Sequence, residues 1–543
     1  MVPIATGSIL HEAKGPQAKK SYRYVHIDRT TKKIIDSEKF NRTSFSSTGR
    51  NDDKPLNEFY GRSWTYRETK KFKQLKQFPM DYQLIKAKNL HPDNEIPTMH
   101  ITAPDGDIER LHGYYLQDID IKANITYITS KKVFHFNNNK LQLGGRSNRY
   151  FTKFSYNIKL DKGSKLDGYK KIKLRSCASD PSYMREKLAY EMLLAAGRPV
   201  SRTSYVRVFI NDRPMGLFLL GEKYDDHWLR NEFAKGDKSY QTGILYEGEG
   251  VKKSNKHAAD LSYHGDDLSY YTSSAYSISE KPEVGTNSMN DLVSFTKFID
   301  DQLKLQQTNG NNASASLDEW NKHIDLNGFF ISLGLEFLMG SFDTYLQNTN
   351  NYFLYKDPIE DRFVFLSWDF DMGLGSGPVK FKRLIGGDYK KFDGMDLRPL
   401  TKATVMSKTR PEFGKLFESQ LTILVKELFH PNITFPIIDS WVNFIQEDVV
   451  WDRSLSRARK GSSFIPFGPH NIENWFHNNA TGDTVSKPLT ISYLTALDFV
   501  IRVNSKKLTF DRAINGPTHH SSLYGLKNWI KEKVDNVLPF LPK

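Results

Sequence analysis

The chain contains one cysteine, Cys177, and lacks any apolar run long enough to cross a bilayer. A single cysteine excludes an internal disulfide framework and any metal site made of several thiolates. The longest apolar run has 13 residues, GFFISLGLEFLMG, whereas a membrane-spanning helix needs about 20. The first residues, MVPIATGSILHEAKG, lack the basic start and the apolar stretch of a signal peptide. We therefore expect no disulfide, no transmembrane segment and no signal peptide in this form of the chain.

The chain also lacks blocks of like charge, zinc-finger spacings and RNP-like aromatic motifs, although it is strongly basic. Its 77 Lys and Arg residues exceed its 63 Asp and Glu residues, which gives a net charge of +14. Such a charge favours anionic partners, including nucleotide phosphates, acidic proteins and glycans. Without a nucleic-acid motif, we interpret the basicity as a solvated surface that also steers phosphates. We expect no nucleic-acid partner.

Residues 341–377 contain the most informative polar pattern in the chain. Two β-rich runs, Tyr352 to Tyr355 and Phe363 to Trp368, flank a polar turn that contains Pro358, and this pattern predicts a hairpin. Polar groups stand before the first run and after the second. Because the two ends of a hairpin lie close together, we expect these groups to face one point. They are Asp343, Asn348, Asn350, Asn351, Asp369 and Asp371.

An acid, then an amide, then a second acid after a hairpin is a layout that phosphoryl-transfer enzymes use. In that chemistry one Asp accepts the proton of the substrate hydroxyl, while the Asn and the second Asp hold Mg²⁺ against nucleotide phosphates. The alternative is that Asp and Asn only mark turns, which is the commoner role of any single one. The segment WDFDMGLGSG favours the chemical interpretation, because two acids beside a strand followed by three glycines are hard to explain as packing.

A strand and a helix with clear end signals occupy the segment KKIKLRSCASDPSYMREKLAYEMLLAAGRP. The strand is predicted over Lys171 to Arg175. The helix is predicted to begin after Asp180, a good N-cap, and to end at Gly197.

The apolar stripe of this helix puts Glu191 on its buried side and Glu186 nearly opposite. A buried carboxylate needs a partner, and the preceding strand offers Arg175 or Lys173. Kinases use such a pair of strand cation and helix carboxylate to hold the α- and β-phosphates. A structural ion pair or a solvated helix face is an equally good interpretation.

A glycine pair, Gly144 and Gly145, stands between two predicted strands and is followed by Lys153. A glycine hairpin lets backbone N–H groups approach phosphates, and Lys153 would add a point charge. An ordinary turn is the better-supported alternative.

The order of elements predicts an α+β fold. Residues 1–90 indicate a small N-terminal β module with a basic linker. Residues 91–250 predict a small antiparallel sheet with one helix, as in the nucleotide-clamping lobe of a protein kinase, and residues 251–543 predict a larger, mainly helical lobe. Helices are predicted at 288–306, 317–340, 411–429, 433–448, 489–505 and 524–540.

With these motifs in place, the chain resembles the spore coat protein H (CotH) family of atypical kinases, in its fungal branch. The resemblance rests on KIKLRSCASDPSYMREKLAYEML, YVRVFINDRPMGLFLLGE, NNYFLYKD and LSWDFDMGLGSG, which occur in the family's order. It extends from about residue 90 to beyond residue 460.

The resemblance implies a two-lobe, protein-kinase-like fold and a Ser/Thr protein kinase that uses ATP with Mg²⁺ or Mn²⁺. It implies coat or secreted proteins as substrates, the chain itself included, and a location outside the cell or on the cell or spore surface. Fungal members of the family are also associated with binding host receptors. The alternative function is therefore a non-catalytic adhesin that binds a host-cell receptor or a glycan.

The resemblance also assigns roles to single residues. Asp343 takes the place of the catalytic acid, and Glu222 lies where a connector could meet the adenine. The chain departs from kinases in lacking a complete G-x-G-x-x-G loop. The implied metal ligands are Asn351, with Asn348 as a rival, Asp369 and Asp371; the implied phosphate contacts are Arg175 or Lys153; the implied helix carboxylate is Glu191 or Glu186.

Overall fold

The computed structural model describes residues 1–16, 18–43, 56–80, 82, 87–145, 147–249, 257–308, 314–459 and 492–542. The strands are β1 Val2–Pro3, β2 His11–Glu12, β3 Ser21–Tyr22, β4 Val25–Ile27, β5 Ile34–Ser37, β6 Arg42–Thr43, β7 Thr98–Thr102, β8 Asp120–Ile128, β9 Val133–Leu143, β10 Tyr156–Lys159, β11 Lys171–Arg175, β12 Thr203–Ile210, β13 Arg213–Glu222, β14 Leu245–Gly248, β15 Tyr276–Glu280, β16 Tyr352–Asp357 and β17 Arg362–Ser367.

The α-helices are α1 Asp105–Gly113, α2 Arg185–Ala195, α3 Asp226–Ala234, α4 Leu268–Thr272, α5 Asn290–Thr308, α6 Leu317–His323, α7 Leu326–Met339, α8 Tyr345–Asn348, α9 Phe381–Leu384, α10 Pro399–Ala403, α11 Pro411–Leu424, α12 Pro431–Ser454, α13 Tyr493–Val503, α14 Phe510–Asn515 and α15 Leu526–Val537. Short 3₁₀ turns occur at Ser147–Tyr150, Tyr389–Lys391 and Leu538–Phe540, and a π-helical segment, Val425–Phe429, joins α11 to α12. None of these helices is long and apolar enough to cross a membrane.

The largest sheet is a closed barrel of seven strands in the order β10-β11-β13-β12-β7-β8-β9, with β9 pairing again with β10. Within the barrel, only the pairing of β12 with β7 is parallel. The sequence of β8 shows why such strands form, because Ile121, Ala123, Ile125 and Tyr127 alternate with more exposed residues and are buried. Closure pairs both edges of the sheet and buries this alternating face inside.

The predicted kinase-like arrangement of two lobes is wrong. The mixed α+β content is as expected, but the strands predicted to form a small antiparallel sheet close into the barrel instead. Closure depends on the pairing of β9 with β10 and of β12 with β7, and the latter joins segments far apart in the sequence. Hydrophobic alternation identifies a strand and its buried face, but it does not identify which distant strand will pair with it.

The predicted hairpin is confirmed as β16 and β17, which lie in a second, four-stranded sheet of order β15-β14-β16-β17. Its neighbour is α7, which the sequence GFFISLGLEFLM makes apolar on almost every side and which is buried along its length. The single helix predicted over 317–340 is divided into α6 and α7, because Asp325 caps the start of α7 by accepting from the N–H of Gly328.

The other predicted helices correspond to α5, to α11 with α12, and to α13 and α15. Residues 489–491 of one predicted helix lie outside the described residues. The predicted domain boundaries near residues 90 and 250 stay predictions.

The segment that precedes the barrel is fixed to the helical part by a buried ion cluster. Asp448 of α12 accepts hydrogen bonds from Arg62 at 2.8 Å and from Arg207 of β12 at 2.7 Å. One helix carboxylate therefore connects this segment to the barrel.

Candidate functional site

The hairpin of β16 and β17 brings its two polar ends together. Tyr352 pairs with Ser367 at the open end of the hairpin, and the N–H of Trp368 donates to the carbonyl oxygen of Asn351 at 3.0 Å. The acid before the hairpin and the acid after it are consequently neighbours. The convergence that the sequence predicted for the two ends is present in the structure.

Three amides hold the side chain of Asp343. Asn348 and Asn350 donate to its Oδ1 at 2.7 and 3.0 Å, and Asn351 donates to its Oδ2 at 3.2 Å and to its carbonyl oxygen at 2.7 Å. Burial raises the pKa of Asp343 to about 6, the charge of Asp369 adds to this rise, and the amide donors oppose it. The result is an oriented carboxylate that titrates close to neutral pH.

The acids after the hairpin face two cations of β11. Arg175 donates from Nη1 to Oδ2 of Asp369 at 2.9 Å and from Nη2 to its Oδ1, and the same Nη2 lies 3.1 Å from Oδ2 of Asp371. Lys173 Nζ lies 3.4 Å from Oδ2 of Asp369. Burial alone would raise the pKa of Asp369, but Arg175 and Lys173 outweigh it and hold that pKa below its usual range.

The helix carboxylate that meets Arg175 is Glu186. Its Oε2 accepts from Nε of Arg175 at 2.8 Å, and burial raises its pKa. Glu191, which the apolar stripe placed on the buried side, is partly exposed and pairs instead with Lys187 one turn earlier. The apolar stripe identified the wrong carboxylate because α2 is buried on most of its surface. The side of the helix opposite Met184 therefore faces β11 and not solvent.

The start of α2 also differs from the prediction. The helix begins at Arg185, and the carboxylate of Asp180 accepts from the N–H groups of Met184 and Arg185 at 2.9 and 2.8 Å. The intervening residues form a loop that lies beside Asp371.

Two predicted nucleotide contacts lie in other polar clusters. Lys153 is buried and donates to Asp452 Oδ1 at 2.7 Å and to the carbonyl oxygen of Leu217 at 2.6 Å. Glu222 is buried, accepts from Ser201 Oγ at 2.8 Å and lies 2.8 Å from Nε2 of His91. Neither side chain forms a hydrogen bond with the acids of the hairpin in the described structure.

The ionised side chains of the site would carry a net negative charge. Within the described chain, four carboxylates meet two cations here: Glu186, Asp343, Asp369 and Asp371 against Lys173 and Arg175. Burial, together with the charge of Asp369, raises the pKa of Asp371, and burial lowers that of Lys173. The rise in the pKa of Asp371 agrees with a surplus of negative charge in this set of side chains, whereas the fall in the pKa of Lys173 comes from its burial and from the neighbouring charge of Arg175.

Sequence reasoning missed Asn148, which contributes to the same site. Its Nδ2 donates to Asp371 Oδ2 at 3.2 Å, and its Oδ1 is buried with no hydrogen-bond partner in the part of the chain that the structure describes. Asn148 and Asp371 line a small cavity together with Arg175, Ser179 and Glu186. The signal available in the sequence was the polar segment that follows the glycine pair.

The donor set fits a hard divalent cation. Carboxylate and amide oxygens are the ligands that Mg²⁺ and Mn²⁺ prefer, and the cavity holds an unpaired amide oxygen beside a surplus of carboxylates. Thiolate chemistry is not favoured, because burial raises the pKa of the Cys177 thiol in the same cavity well above its usual value.

Two of the described residues with positive φ lie in the predicted metal-binding segments. Asn351 and Asp369 have φ values of 54° and 53°, in the left-handed region that side chains other than glycine adopt rarely. The hydroxyl of Tyr190, from α2, accepts from the N–H of Asp369 at 3.1 Å and supports this conformation. Strain of this kind persists only where surrounding contacts enforce it and is common at functional sites.

Comparison with known proteins identifies related chains. Residues 141–480 match the family model described as CotH kinase protein. The chain is 25% identical over 472 residues to Invasin CotH3 of Rhizopus delemar, an alignment that covers 85% of this chain and 72% of that protein. It is 24% identical over 433 residues to Spore coat protein homolog 1 of the same fungus, with 78% and 66% covered.

A bacterial relative is also similar. The chain is 23% identical over 309 residues to Inner spore coat protein H of Bacillus subtilis, which covers 56% of this chain and 75% of that protein. The alignments thus span about two thirds to three quarters of the length of these relatives.

Proposed function

The chain belongs to the CotH kinase protein family, in its fungal branch, and we propose that it transfers the γ-phosphoryl group of ATP to Ser or Thr hydroxyls of coat or surface proteins, itself included. The observation that supports this proposal is the proximity of two groups of acids. Asp343 accepts hydrogen bonds from three amides, and the charge of Asp369 acts on it. Asp369 and Asp371 in turn contact Arg175. These are the groups that such a transfer needs: an acceptor for the hydroxyl proton, ligands for a cation and a positive charge for phosphate.

The cation would be held by Asp369, Asp371 and Asn351. Asn348 is the alternative to Asn351 as the amide ligand, and Asn148 would add a further ligand from the cavity. Bound Mg²⁺ or Mn²⁺ supplies neutralisation of the phosphate charge. The surplus of carboxylates over cations supports this assignment, because a divalent ion would offset two negative charges that burial makes unfavourable.

Asp343 would accept the proton of the attacking hydroxyl. Its pKa of about 6 leaves it mostly ionised at neutral pH, yet basic enough to take up a proton during transfer. The amides of Asn348 and Asn350 fix its Oδ1, which leaves Oδ2 as the oxygen for the substrate, shared with the longer contact from Asn351.

Arg175 and Lys173 would bind phosphate oxygens. The guanidinium of Arg175 is held between Asp369 and Glu186 and keeps its charge, since these carboxylates outweigh the effect of burial on its pKa. A guanidinium fixed in this way on a barrel strand would add positive charge beside the phosphate oxygens.

The experiment that tests the proposal measures transfer of labelled γ-phosphate to the chain itself and to a Ser-rich protein, with Mn²⁺ or Mg²⁺. The variant Asp369→Asn removes one negative ligand and should lower the rate roughly a hundredfold or more. The matched control is Asp361→Asn, an exposed acid in the turn of the same hairpin. Equal labelling by the wild type and Asp369→Asn would refute the proposal.

A second candidate function is adhesion without catalysis. The relatives named as invasins favour it, as does the net charge of +14, which suits an anionic receptor or glycan. The test compares binding of the wild type and Asp343→Asn to host cells, with and without ATP. Binding that is identical in all four conditions would favour adhesion; binding that requires Asp343 would favour the enzyme. Both functions place the chain on a spore or cell surface.

A further inference from the structure

A row of lysines crosses the outside of the barrel. Strand pairing places one lysine on each of β8, β9, β10 and β11 directly opposite the next. The N–H of Lys223, the residue after β13, donates to the carbonyl oxygen of Lys171 at 3.1 Å and extends the row to a fifth strand. At about 4.8 Å between neighbouring strands, the row is roughly 19 Å long. This lysine row consists of Lys122, Lys140, Lys159, Lys171 and Lys223.

The lysine row points away from the core of the barrel. Successive residues of a strand point to opposite faces of the sheet. The chain neighbours of the first four lysines are buried in the barrel core, and they are Ile121, Leu141, Ile158 and Ile172. Three lysines of the row, Lys122, Lys159 and Lys223, are exposed, and the other two are partly exposed. The row is therefore accessible to a partner from solvent.

Carboxylates of the described chain pair with only two lysines of the row. Lys140 contacts Asp120, and Lys171 contacts Glu280 and, at 3.8 Å, Asp225. The three exposed lysines have no ion-pair partner among the residues that the structure describes. The row consequently carries more positive charge than its own surroundings neutralise.

Folding alone does not explain the lysine row. Like charges directly opposite one another on paired strands are destabilising. Lysines often protect the open edge of a sheet from pairing with another chain, but a closed barrel has no open edge to protect. An anionic partner would offset the repulsion within the row.

The lysine row lies beside the candidate site. Lys173 and Arg175 follow Lys171 on the same face of β11, and at about 3.3 Å per residue Arg175 is roughly 13 Å from Lys171 along the strand. Burial lowers the pKa of Lys173, and the charges of Arg175 and Lys223 lower it further, so Lys223 lies close enough to act on the site. An extended chain covers about 13 Å in roughly four residues. A segment bound to the row is therefore only a few residues from the site.

We propose that the lysine row binds an acidic segment, rich in Asp and Glu, of the protein substrate. The segment lies across β8 to β13 on the outside of the barrel, a few residues from the hydroxyl that accepts the phosphate. This inference rests on the proposed function, and it adds a class of substrate: proteins that carry a stretch of carboxylates near the acceptor Ser or Thr.

The test measures peptide binding to the full chain by fluorescence anisotropy, at low and at high salt. The probe is a labelled Ser-containing peptide rich in Glu, and its analogue has Gln in place of every Glu. The row variant replaces the three lysines that have no ion pair in the described structure: Lys122→Gln, Lys159→Gln and Lys223→Gln. The matched control removes the same charge from exposed positions in and near α10 and α11: Lys402→Gln, Lys408→Gln and Lys415→Gln.

We expect the wild type to bind the Glu peptide about tenfold or more tightly than the Gln analogue, with a preference that falls as the salt concentration rises. The row variant should lose about tenfold in affinity for the Glu peptide, because each exposed charge contact contributes modestly. The control should bind as the wild type does. The inference is overturned if the wild type does not prefer the Glu peptide, if the row variant retains its affinity, or if the control loses as much.

The fold of the row variant is checked by its melting temperature. This temperature should be no lower than that of the wild type, since the substitutions remove charges that repel one another. If the combined variant does not fold, Lys159→Gln alone, at the centre of the row, should lose about twofold in affinity for the Glu peptide, and an unchanged affinity would overturn the inference.

Heparin and phosphatidylserine vesicles distinguish other polyanions from an acidic protein. If the row variant loses binding to either of them and keeps its affinity for the Glu peptide, the acidic segment is overturned in favour of a glycan or a membrane surface.

This outcome is separable from that of the proposed function. Labelled phosphate transferred by a wild type that binds both peptides equally would overturn the acidic segment alone. The expected binding pattern without any transfer would overturn the proposed transfer and leave the lysine row supported as a docking surface for acidic proteins.

Discussion

Arg175 of β11 forms a two-pronged contact with Asp369, a residue that lies 194 positions later in the chain, just after β17. Nη1 of Arg175 lies 2.9 Å from Oδ2 of Asp369, and Nε of the same guanidinium donates to Glu186 of α2 at 2.8 Å. A single side chain therefore connects the barrel, the helix and the hairpin at the candidate site.

Arg175→Lys should weaken the site although it conserves the charge. A lysine cannot donate in parallel to both oxygens of Asp369, and one buried carboxylate contact is worth about 1.5 to 3 kcal/mol. We expect the free energy of unfolding in urea to fall by about that amount. The double variant Arg175→Lys with Asp369→Asn should lose less than the sum of the two single losses, and strict additivity would contradict the coupling.

Lys153→Met should destabilise the fold, because the buried carboxylate of Asp452 loses its ammonium partner and keeps the longer contact with Arg457. Breaking a buried ion pair on one side typically costs about 3 to 5 kcal/mol. Adding Asp452→Asn should recover part of the loss, since the asparagine carries no charge and can still accept from the N–H of Leu217. Urea unfolding of the two single variants and the double variant measures these losses. If the double variant loses as much free energy of unfolding as the two single variants together, the ion pair of Lys153 and Asp452 does not stabilise the fold.

Glu336→Gln should remove part of the pH dependence of stability. Burial raises the pKa of Glu336 in α7 from 4.5 to about 7, although its Oε1 accepts from the N–H of Leu346 at 2.7 Å. Between these values the unfolded chain has lost the proton and the folded chain retains it, so the free energy of unfolding falls as pH rises from 4.5 to 7. Each unit of difference between the pKa values of the folded and unfolded chain corresponds to about 1.4 kcal/mol. The free energy of unfolding should therefore fall by about 3 kcal/mol over this pH range.

Thermal unfolding at several pH values measures this effect. The wild type and Glu336→Gln should have similar stability below pH 4.5, and the variant should be the more stable of the two above pH 7. The control is Glu360→Gln, an exposed acid in the turn of the hairpin, which should follow the wild type at every pH. A constant difference between Glu336→Gln and the wild type would refute the assignment.

Manganese should stabilise the wild type and fail to stabilise Asp371→Asn. A ligand at a hundredfold excess over its dissociation constant adds about 2.7 kcal/mol to the free energy of unfolding. Asp371 lies beside the unpaired oxygen of Asn148, so its loss removes a negative ligand from the cavity. The melting temperature with Mn²⁺ and after chelation gives the result, with Asp361→Asn as the control; equal stabilisation of all three proteins would place the ion elsewhere.

The elements of the site could be predicted because their signals are local. The hairpin follows from two β-rich runs around a polar turn, and the ends of a hairpin always meet, so the proximity of Asn351 and Trp368 required no knowledge of the rest of the fold. The strand Lys171–Arg175 was predicted with its observed bounds. An ion pair between a cation of this strand and a carboxylate of α2 was one of the interpretations left open, with Arg175 or Lys173 as the cation and Glu186 or Glu191 as the carboxylate.

The other parts depended on contacts between distant segments. Glu186 rather than Glu191 meets Arg175 because α2 is enclosed on most sides, and the amount of burial around a helix is a property of its neighbours. Lys153 was a candidate for phosphate contact, but a residue of α12 about three hundred positions later holds its ammonium group. Asn148 had no distinguishing motif, and only its position beside Asp371 indicates a role.

The sequence by itself determined the strand Lys171–Arg175, the longer helices, the hairpin and the types of side chain at its two ends, because hydrophobic period and turn chemistry act between near neighbours. Tertiary structure alone decided that seven strands close into a barrel and which carboxylate each cation meets. The physical reason is that these outcomes depend on which distant surfaces bury one another, and desolvation then requires each buried charge to take the partner that lies closest.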